Sequence, residues 1–256
     1  MSGGHGHAHG LYLPRQSVVH RLRPHAKVAA TLAFVLAVVA TPRDAFWVFG
    51  LDAVLVATVA LLAHVSLPTL ARRLAIEAPF VAFAVFLPLV GEAPHTEVAG
   101  LSLSEPGLWG AWNILVKGTL GVAATVLLAS TTTIAELLTG LDRLRVPRAF
   151  TAIAGFMVRY GQVIVGEGRR MRIARLSRGY DPRWIWQARA VASSAGTLFI
   201  RSYERGERIH VAMLSRGFTG ELPAATHDRA DAREWLAVAL VPALAATAAL
   251  TAWLAT

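Results

Sequence analysis

The chain has 256 residues, of which 55% are hydrophobic and 16% are charged, and its mean hydropathy is +0.49. A soluble domain usually carries about a quarter charged residues, so this composition is typical of an integral membrane protein. The sequence contains no cysteine, which excludes disulfides and thiolate metal sites. Its net charge of +9 does not indicate a nucleic-acid partner, because the basic residues collect on one side of the apolar segments.

The first segment, 1–25, is polar and is predicted to be a cytoplasmic tail. Its start is rich in glycine and histidine, which does not fit a cleavable signal peptide. The side chains of His5, His7 and His9 could bind a transition metal weakly. A low-complexity tail without a metal accounts for these histidines equally well.

Apolar runs predict an all-α integral membrane protein with about five transmembrane helices. Four of these helices are predicted within 26–130, at about 28–40, 45–65, 74–90 and 108–130. The fifth is predicted within 233–256, at about 235–254. Basic residues flank the first run and fill the loop at 64–73, whereas the loop at 91–107 is acidic. Because basic loops stay in the cytoplasm, we expect the N-terminus inside and the C-terminus outside.

Residues 131–232 are too many for a loop and too polar to cross the membrane, so they predict a cytoplasmic module of helices between spans four and five. A short amphipathic helix is expected at 133–145, followed by long helices at 148–179 and 182–217. The stretch 149–165 is apolar enough to resemble a sixth span. Arg159 and Gln162 in its middle indicate instead a helix against the bundle or at the interface.

One short sequence occurs twice within this module. Residues 168–180 and 206–218 are identical at seven aligned positions, and both end in Leu-Ser-Arg-Gly followed by an aromatic residue. Glycine after the last helical residues is typical of a left-handed C-cap, and arginine there complements the helix dipole. Capping alone does not require the whole motif to be repeated. The repetition favours a second role, in which Arg178 and Arg216 dock into two equivalent acidic pockets of a two-fold partner.

The sequence lacks the phosphate-binding loop and the catalytic spacings of zinc proteases and serine hydrolases. Asp52 in span two and Lys117 in span four are predicted at comparable depths, where they could form a buried pair. Such a pair could be structural or could belong to a substrate pathway. Close helix packing is expected at small residues of the fourth span, namely Gly110, Gly118, Gly121 and Ala124.

These residues resemble those of the transmembrane (T) component of energy-coupling factor importers, and more narrowly its CbiQ-type cobalt branch. The resemblance runs from Ser17 to about Leu254. It is carried by Val19-His-Arg-Leu-Arg-Pro24, Arg145-Val-Pro147, Met157-Val-Arg-Tyr160 and two copies of the family's Ala-Arg-Gly signature. Those copies read Ser177-Arg178-Gly179 and Ser215-Arg216-Gly217 here, with serine in place of the usual alanine.

The resemblance implies a non-catalytic coupling subunit in a bacterial-type inner membrane. Two ATP-binding-cassette ATPases would bind the two signatures, and residues 148–217 would act as the lever. ATP and magnesium would belong to the ATPases, with no cofactor in this chain. A separate membrane subunit would bind the substrate, with cobalt favoured and nickel or a vitamin as alternatives. A stand-alone carrier or channel that uses Asp52 and Lys117 is the alternative of a different class, and a membrane-embedded enzyme is disfavoured.

Overall fold

The computed structural model describes residues 12–91, 94–98, 101–180, 188–219 and 231–255, with the backbone alone at 97, 98, 101, 102, 188 and 190. Helices dominate these residues, which confirms the predicted all-α membrane fold. The helices are α1 (Val18–Arg21), α2 (Pro24–Ala40), α3 (Phe46–Leu62), α4 (Leu67–Leu74), α5 (Ala78–Val90), α6 (Glu105–Thr131), α7 (Ile134–Arg143), α8 (Arg148–Ser177), α9 (Ala188–Leu214) and α10 (Ala232–Ala255). A short antiparallel hairpin is formed by β1 (His95–Val98) and β2 (Leu101–Ser104).

Four helical segments are long and apolar enough to cross a membrane: Leu67–Val90, Glu105–Thr131, Arg148–Ser177 and Ala232–Ala255. The first of them joins α4 to α5 through a single 3-10 turn, Ala75–Glu77. Helices α2 and α3 have 17 residues each, the lower limit of a span. Helix α8 qualifies by length and composition, although none of its most apolar stretch is buried. That 149–165 lies against the bundle or at the interface, rather than forming a sixth span, stays a prediction.

The chain divides into two compact units. Among the described residues, those within 12–144 and 231–255 form the bundle unit, and those within 145–219 form the α8–α9 unit. Helix α7, which the sequence places in the cytoplasmic module, belongs to the bundle unit and packs against α2. A capping box between Thr133 and Glu136 begins α7, as the Thr-x-x-Glu spacing predicts.

The core of the bundle unit lies where α2, α3, α6 and α10 meet. Large side chains such as Phe34, Phe49 and Leu120 fill its centre. Helix α10 contributes small residues at helical spacing, and this face is buried: Ala245, Ala248, Ala249 and Ala252. Small residues let helix backbones approach closely, which is how helices associate in a lipid environment without a hydrophobic driving force between them.

Three predicted boundaries differ in the structure. The expected loop at 64–73 contains α4, and the expected loop at 91–107 contains the β1–β2 hairpin. Helix α6 begins at Glu105 rather than 108, because the Ser104 hydroxyl accepts the Gly107 N–H as an N-cap and Pro106 suits the first turn. Helix α9 is described from Ala188 onward, so the predicted start at 182 lies outside the described residues.

Candidate functional site

Helix α8 ends in a Schellman motif built on the first repeat. Arg178 is the C-cap residue, and Gly179 adopts a positive φ of 76°. The Gly179 N–H donates to the Leu176 carbonyl at 2.9 Å, and the Tyr180 N–H donates to the Arg175 carbonyl at 3.2 Å. These two bonds satisfy carbonyls that the end of a helix would otherwise leave unpaired. The left-handed conformation explains why glycine follows the arginine.

The second repeat ends α9 in the same way. Gly217 adopts a φ of 80° and donates its N–H to the Leu214 carbonyl at 3.0 Å. The Phe218 N–H donates to the Met213 carbonyl, also at 3.0 Å. Position by position, these are the bonds of the first motif. The duplicated sequence therefore forms a duplicated structure, with Arg216 at the place of Arg178.

The serines that replace the family's alanines are satisfied within their own helices. The Ser177 hydroxyl donates to the Ala174 carbonyl at 3.0 Å, and the Ser215 hydroxyl donates to the Ala212 carbonyl at the same distance. Neither hydroxyl proton is left for a partner. Each serine is thus accommodated within its helix while the arginine side chain after it stays exposed.

Both arginine side chains are exposed. Within the described parts of the chain, neither the Arg178 nor the Arg216 guanidinium forms a hydrogen bond or an ion pair. A guanidinium carries five donors in a planar fork that matches a carboxylate. Each repeat consequently exposes, at the end of its helix, a guanidinium group that no described residue binds.

Helices α8 and α9 form an antiparallel hairpin within the α8–α9 unit. The Glu167 carboxylate bridges two arginines of α9, with distances of 3.0 Å to Arg201 and 3.2 Å to Arg205. Further along α8, the Arg175 guanidinium donates to the hydroxyl of Ser194, which comes earlier in α9. A later residue of one helix therefore meets an earlier residue of the other, as antiparallel packing requires.

This packing sends the two Arg-Gly ends in opposite directions. Arg178 lies one way along the hairpin from the Glu167 bridge, and Arg216 lies the other way. At 1.5 Å per residue, their separation along the hairpin is up to about 36 Å. At this separation, one acidic pocket could not hold both guanidinium groups.

The structure does not bring Asp52 and Lys117 together, which corrects the predicted pair. The Lys117 ammonium donates to the carbonyls of Val39 and Thr41, each at 2.8 Å. The Asp52 side chain is fully buried (0% exposed), and neither carboxylate oxygen has a hydrogen-bond partner among the described residues.

Lys117 is instead a cap for the end of α2. Its ammonium satisfies the carbonyls of Val39 and Thr41. The Trp253 indole N–H satisfies the carbonyl between them by donating to Ala40 at 2.8 Å. A cation at a helix C-terminus also interacts favourably with the helix dipole. No pattern in the sequence identifies this role, because Lys117 and its acceptors are far apart along the chain.

No group of three histidine, aspartate or glutamate side chains lies close enough to hold a metal ion in the parts of the chain that the structure describes. The tail residues His5, His7 and His9 lie outside those parts.

Replacing Asp52 by valine is expected to stabilise the protein. A buried polar group without a partner costs about 1–3 kcal/mol, and a small apolar side chain removes that cost. A gain of about 1 kcal/mol raises the melting temperature of a chain of this size by about 2–4 °C, measurable by thermal unfolding in detergent. Lys117→Met should act in the opposite direction, since it leaves the α2 carbonyls unpaired. A lower melting temperature for Asp52→Val would contradict the absence of a partner.

Comparisons with known proteins agree with this architecture. The model of the family of cobalt transport protein CbiQ matches residues 15–227. The energy-coupling factor transporter transmembrane protein EcfT of Thermosediminibacter oceani is 25% identical over 82% of this chain and 84% of its own length. EcfT of Thermanaerovibrio acidaminovorans is 30% identical over 82% of both chains.

A fused cobalt transport protein, CbiMQ of Methanocorpusculum labreanum, is 31% identical over 49% of this chain, and the match spans 20% of that longer protein. The match to the family model covers more than half of this chain, and the apolar helices are those of a multi-pass membrane protein. The predicted resemblance is therefore confirmed, and the chain belongs to the CbiQ family of cobalt transport proteins.

Proposed function

We propose that this chain is the non-catalytic coupling subunit of an energy-coupling factor importer. In this role it passes the motion of two partner ATPases to a separate membrane subunit that binds the substrate. The observation that carries the proposal is the pair of Arg-Gly helix ends, which share the same hydrogen bonds and lie at opposite ends of one hairpin.

Two equivalent cationic ends suit two copies of one partner. The exposed guanidinium groups of Arg178 and Arg216 would each enter an acidic groove on one ATPase, where a bidentate pair with a carboxylate gives both strength and orientation. ATP and magnesium are held by those ATPases in this proposal, and this chain contributes no cofactor. The basic loops would lie in the cytoplasm with the N-terminus, where ATP is available.

In this proposal the hairpin transmits movement between its ends. The ion pairs of Glu167 with Arg201 and Arg205 tie α8 to α9, so a displacement of one helix end is passed to the other helix. Helix α8 contains no buried residue in this chain. Its exposed apolar side chains would suit contact with the substrate-binding membrane subunit, and they include Phe150, Ile153, Met157 and Val165.

Cobalt as the cargo is supported by the description of the family and by the name of the CbiMQ relative. Nickel or a vitamin is the alternative cargo, since the relatives named EcfT carry no substrate in their names. The alternative of a stand-alone carrier gains no support from the structure, because Lys117 is bonded to backbone carbonyls rather than to Asp52.

Reconstitution into liposomes tests the proposal. The full set of subunits, with both ATPases and the substrate-binding subunit, should accumulate radioactive cobalt when ATP is supplied. This chain alone should accumulate none, with or without an ion gradient. Uptake by the chain alone would contradict a coupling role and would favour the carrier. Competition by nickel or by vitamins in the full set then identifies the cargo.

A further inference from the structure

A cavity of about 280 Å³ opens in the bundle unit between α1, α2, α3, α6 and α10. Its walls are mainly apolar and include Leu22, Phe34, Val59 and Leu127. Exposed residues at its border, such as Val18 and Leu62, show that it is open to the surroundings. The volume is near the lower limit of small-ligand pockets, about 300 Å³, and suits a single hydrocarbon chain.

One charged side chain, that of Lys27, lines this apolar cavity. It is 6% exposed, and its ammonium donates to the Thr131 carbonyl at 2.9 Å. An ammonium has three donors, and no second acceptor for it occurs among the described residues. A buried cation with unused donors is costly unless an anion or another acceptor is supplied.

The two carboxylates that act electrostatically on Lys27 are bonded to other groups. Glu234 forms an ion pair with Arg23 at 3.3 Å. Glu136 accepts the backbone N–H of Thr133 in the capping box of α7. Neither carboxylate is hydrogen-bonded to Lys27, so neither takes up the ammonium donors that the Thr131 carbonyl leaves unused.

The short helix α1, which borders the cavity, also carries a basic side chain. Val18, Val19 and Leu22 line the cavity, whereas Arg21 of the same segment is exposed. An apolar cavity with a buried cation, next to a helix that carries an exposed one, matches an amphiphile that has an anionic head and a hydrocarbon tail. The membrane that surrounds the bundle supplies such a molecule.

We propose that the cavity binds one acyl chain of an anionic phospholipid, with the phosphate held by Lys27 and Arg21. The lipid comes from the leaflet in which α1 lies. The acyl chain fills the space between α1 and the bundle, and the phosphate accepts the hydrogen bonds that Lys27 has left. This site is independent of the coupling role, because all its residues belong to the bundle unit.

The test is lipid retention in the purified chain. The protein is exchanged into bilayer discs with equal amounts of phosphatidylglycerol and phosphatidylcholine, extracted in mild detergent, and examined by native mass spectrometry. The wild type should retain one phosphatidylglycerol, with a preference of roughly tenfold over phosphatidylcholine, since two basic side chains attract the anionic lipid. No retained phosphatidylglycerol, or equal retention of both lipids, would overturn the proposal.

Two variants locate the site. Ala30→Leu fills the cavity without touching a charge, and Lys27→Met removes the buried cation; both should lose the lipid. Ala33→Leu is the matched control, because Ala33 lies on the same helix but is exposed and does not line the cavity. Retention by Ala30→Leu at the level of the control would contradict the site. Ala30→Leu decides the question if Lys27→Met does not fold.

Discussion

Alanine at both Arg178 and Arg216 should abolish co-purification of the ATPase subunits with this chain. Each exposed guanidinium would be the centre of one docking contact, and truncation of a charged partner at an interface costs about 2–5 kcal/mol, or roughly 30- to 4,000-fold in affinity. The bundle unit should remain folded, because neither side chain bonds within the described residues. Co-expression followed by affinity purification and quantification of bound ATPase measures the effect.

Two control variants separate docking from other effects of the substitution. Ala at Arg172 and Arg208 removes the same charge from the same two helices but outside the Arg-Gly ends, and it should leave ATPase binding close to wild type. Ala at Ser177 and Ser215 should also be tolerated, since each hydroxyl bonds only to its own helix. Unchanged binding in the Arg178/Arg216 double variant, or an equal loss in the charge control, would contradict the docking role.

Gly107→Ala should destabilise the bundle unit more than any other single methyl group added to α6. A Cβ at Gly107 would lie 2.4 Å from the Leu87 carbonyl oxygen and 2.8 Å from the Pro88 Cα. Both are backbone atoms, so α5 and α6 must move apart. Such overpacking costs about 1–3 kcal/mol, which corresponds to a loss of roughly 2–12 °C in melting temperature for a chain of this size.

Gly110→Ala is the control for this prediction. Its Cβ would lie 3.7 Å from the Leu87 side chain, an ordinary contact, one turn further along the same helix. Alanine should be neutral there or should stabilise by up to about 1 kcal/mol, since it is a better helix former than glycine. Thermal unfolding in detergent compares the two variants. Equal melting temperatures would show that α5 and α6 do not meet at Gly107.

Local patterns in the sequence were sufficient for most of the helices. The apolar runs predicted α2, α3, α5, α6 and α10, and the amphipathic stretch at 133–145 predicted α7. The two helix ends at Gly179 and Gly217 were also predicted, because a glycine cap depends on the conformation of neighbouring residues alone. The N-cap role of Ser104 was not predicted, although serine followed by Glu-Pro favours a helix start, and the predicted start of the span at 108 was too late.

Contacts between distant segments could not be predicted in this way. An ion pair between Lys117 and Asp52 was predicted because the two side chains have opposite charges and similar expected depths. In the structure the Lys117 ammonium donates instead to the carbonyls at the end of α2. Of the small residues singled out in span four, Gly118 lies close to the Glu77 side chain, whereas Gly110 has only an ordinary contact and Gly121 has none within 4 Å. The closest backbone contact of this helix is at Gly107, which was not singled out.

Sequence by itself thus determined the membrane class, most of the helices and the two duplicated arginine ends, all of which follow from composition and from bonds between neighbours. Tertiary structure decided the antiparallel hairpin that separates Arg178 from Arg216, the cavity beside Lys27 and the isolation of Asp52. The physical reason is that a polar side chain bonds to whichever donor or acceptor the packing of helices brings within about 3 Å. Which donor or acceptor lies within that distance depends on the rotation and depth of each helix in the bundle. No short stretch of sequence encodes this rotation and depth.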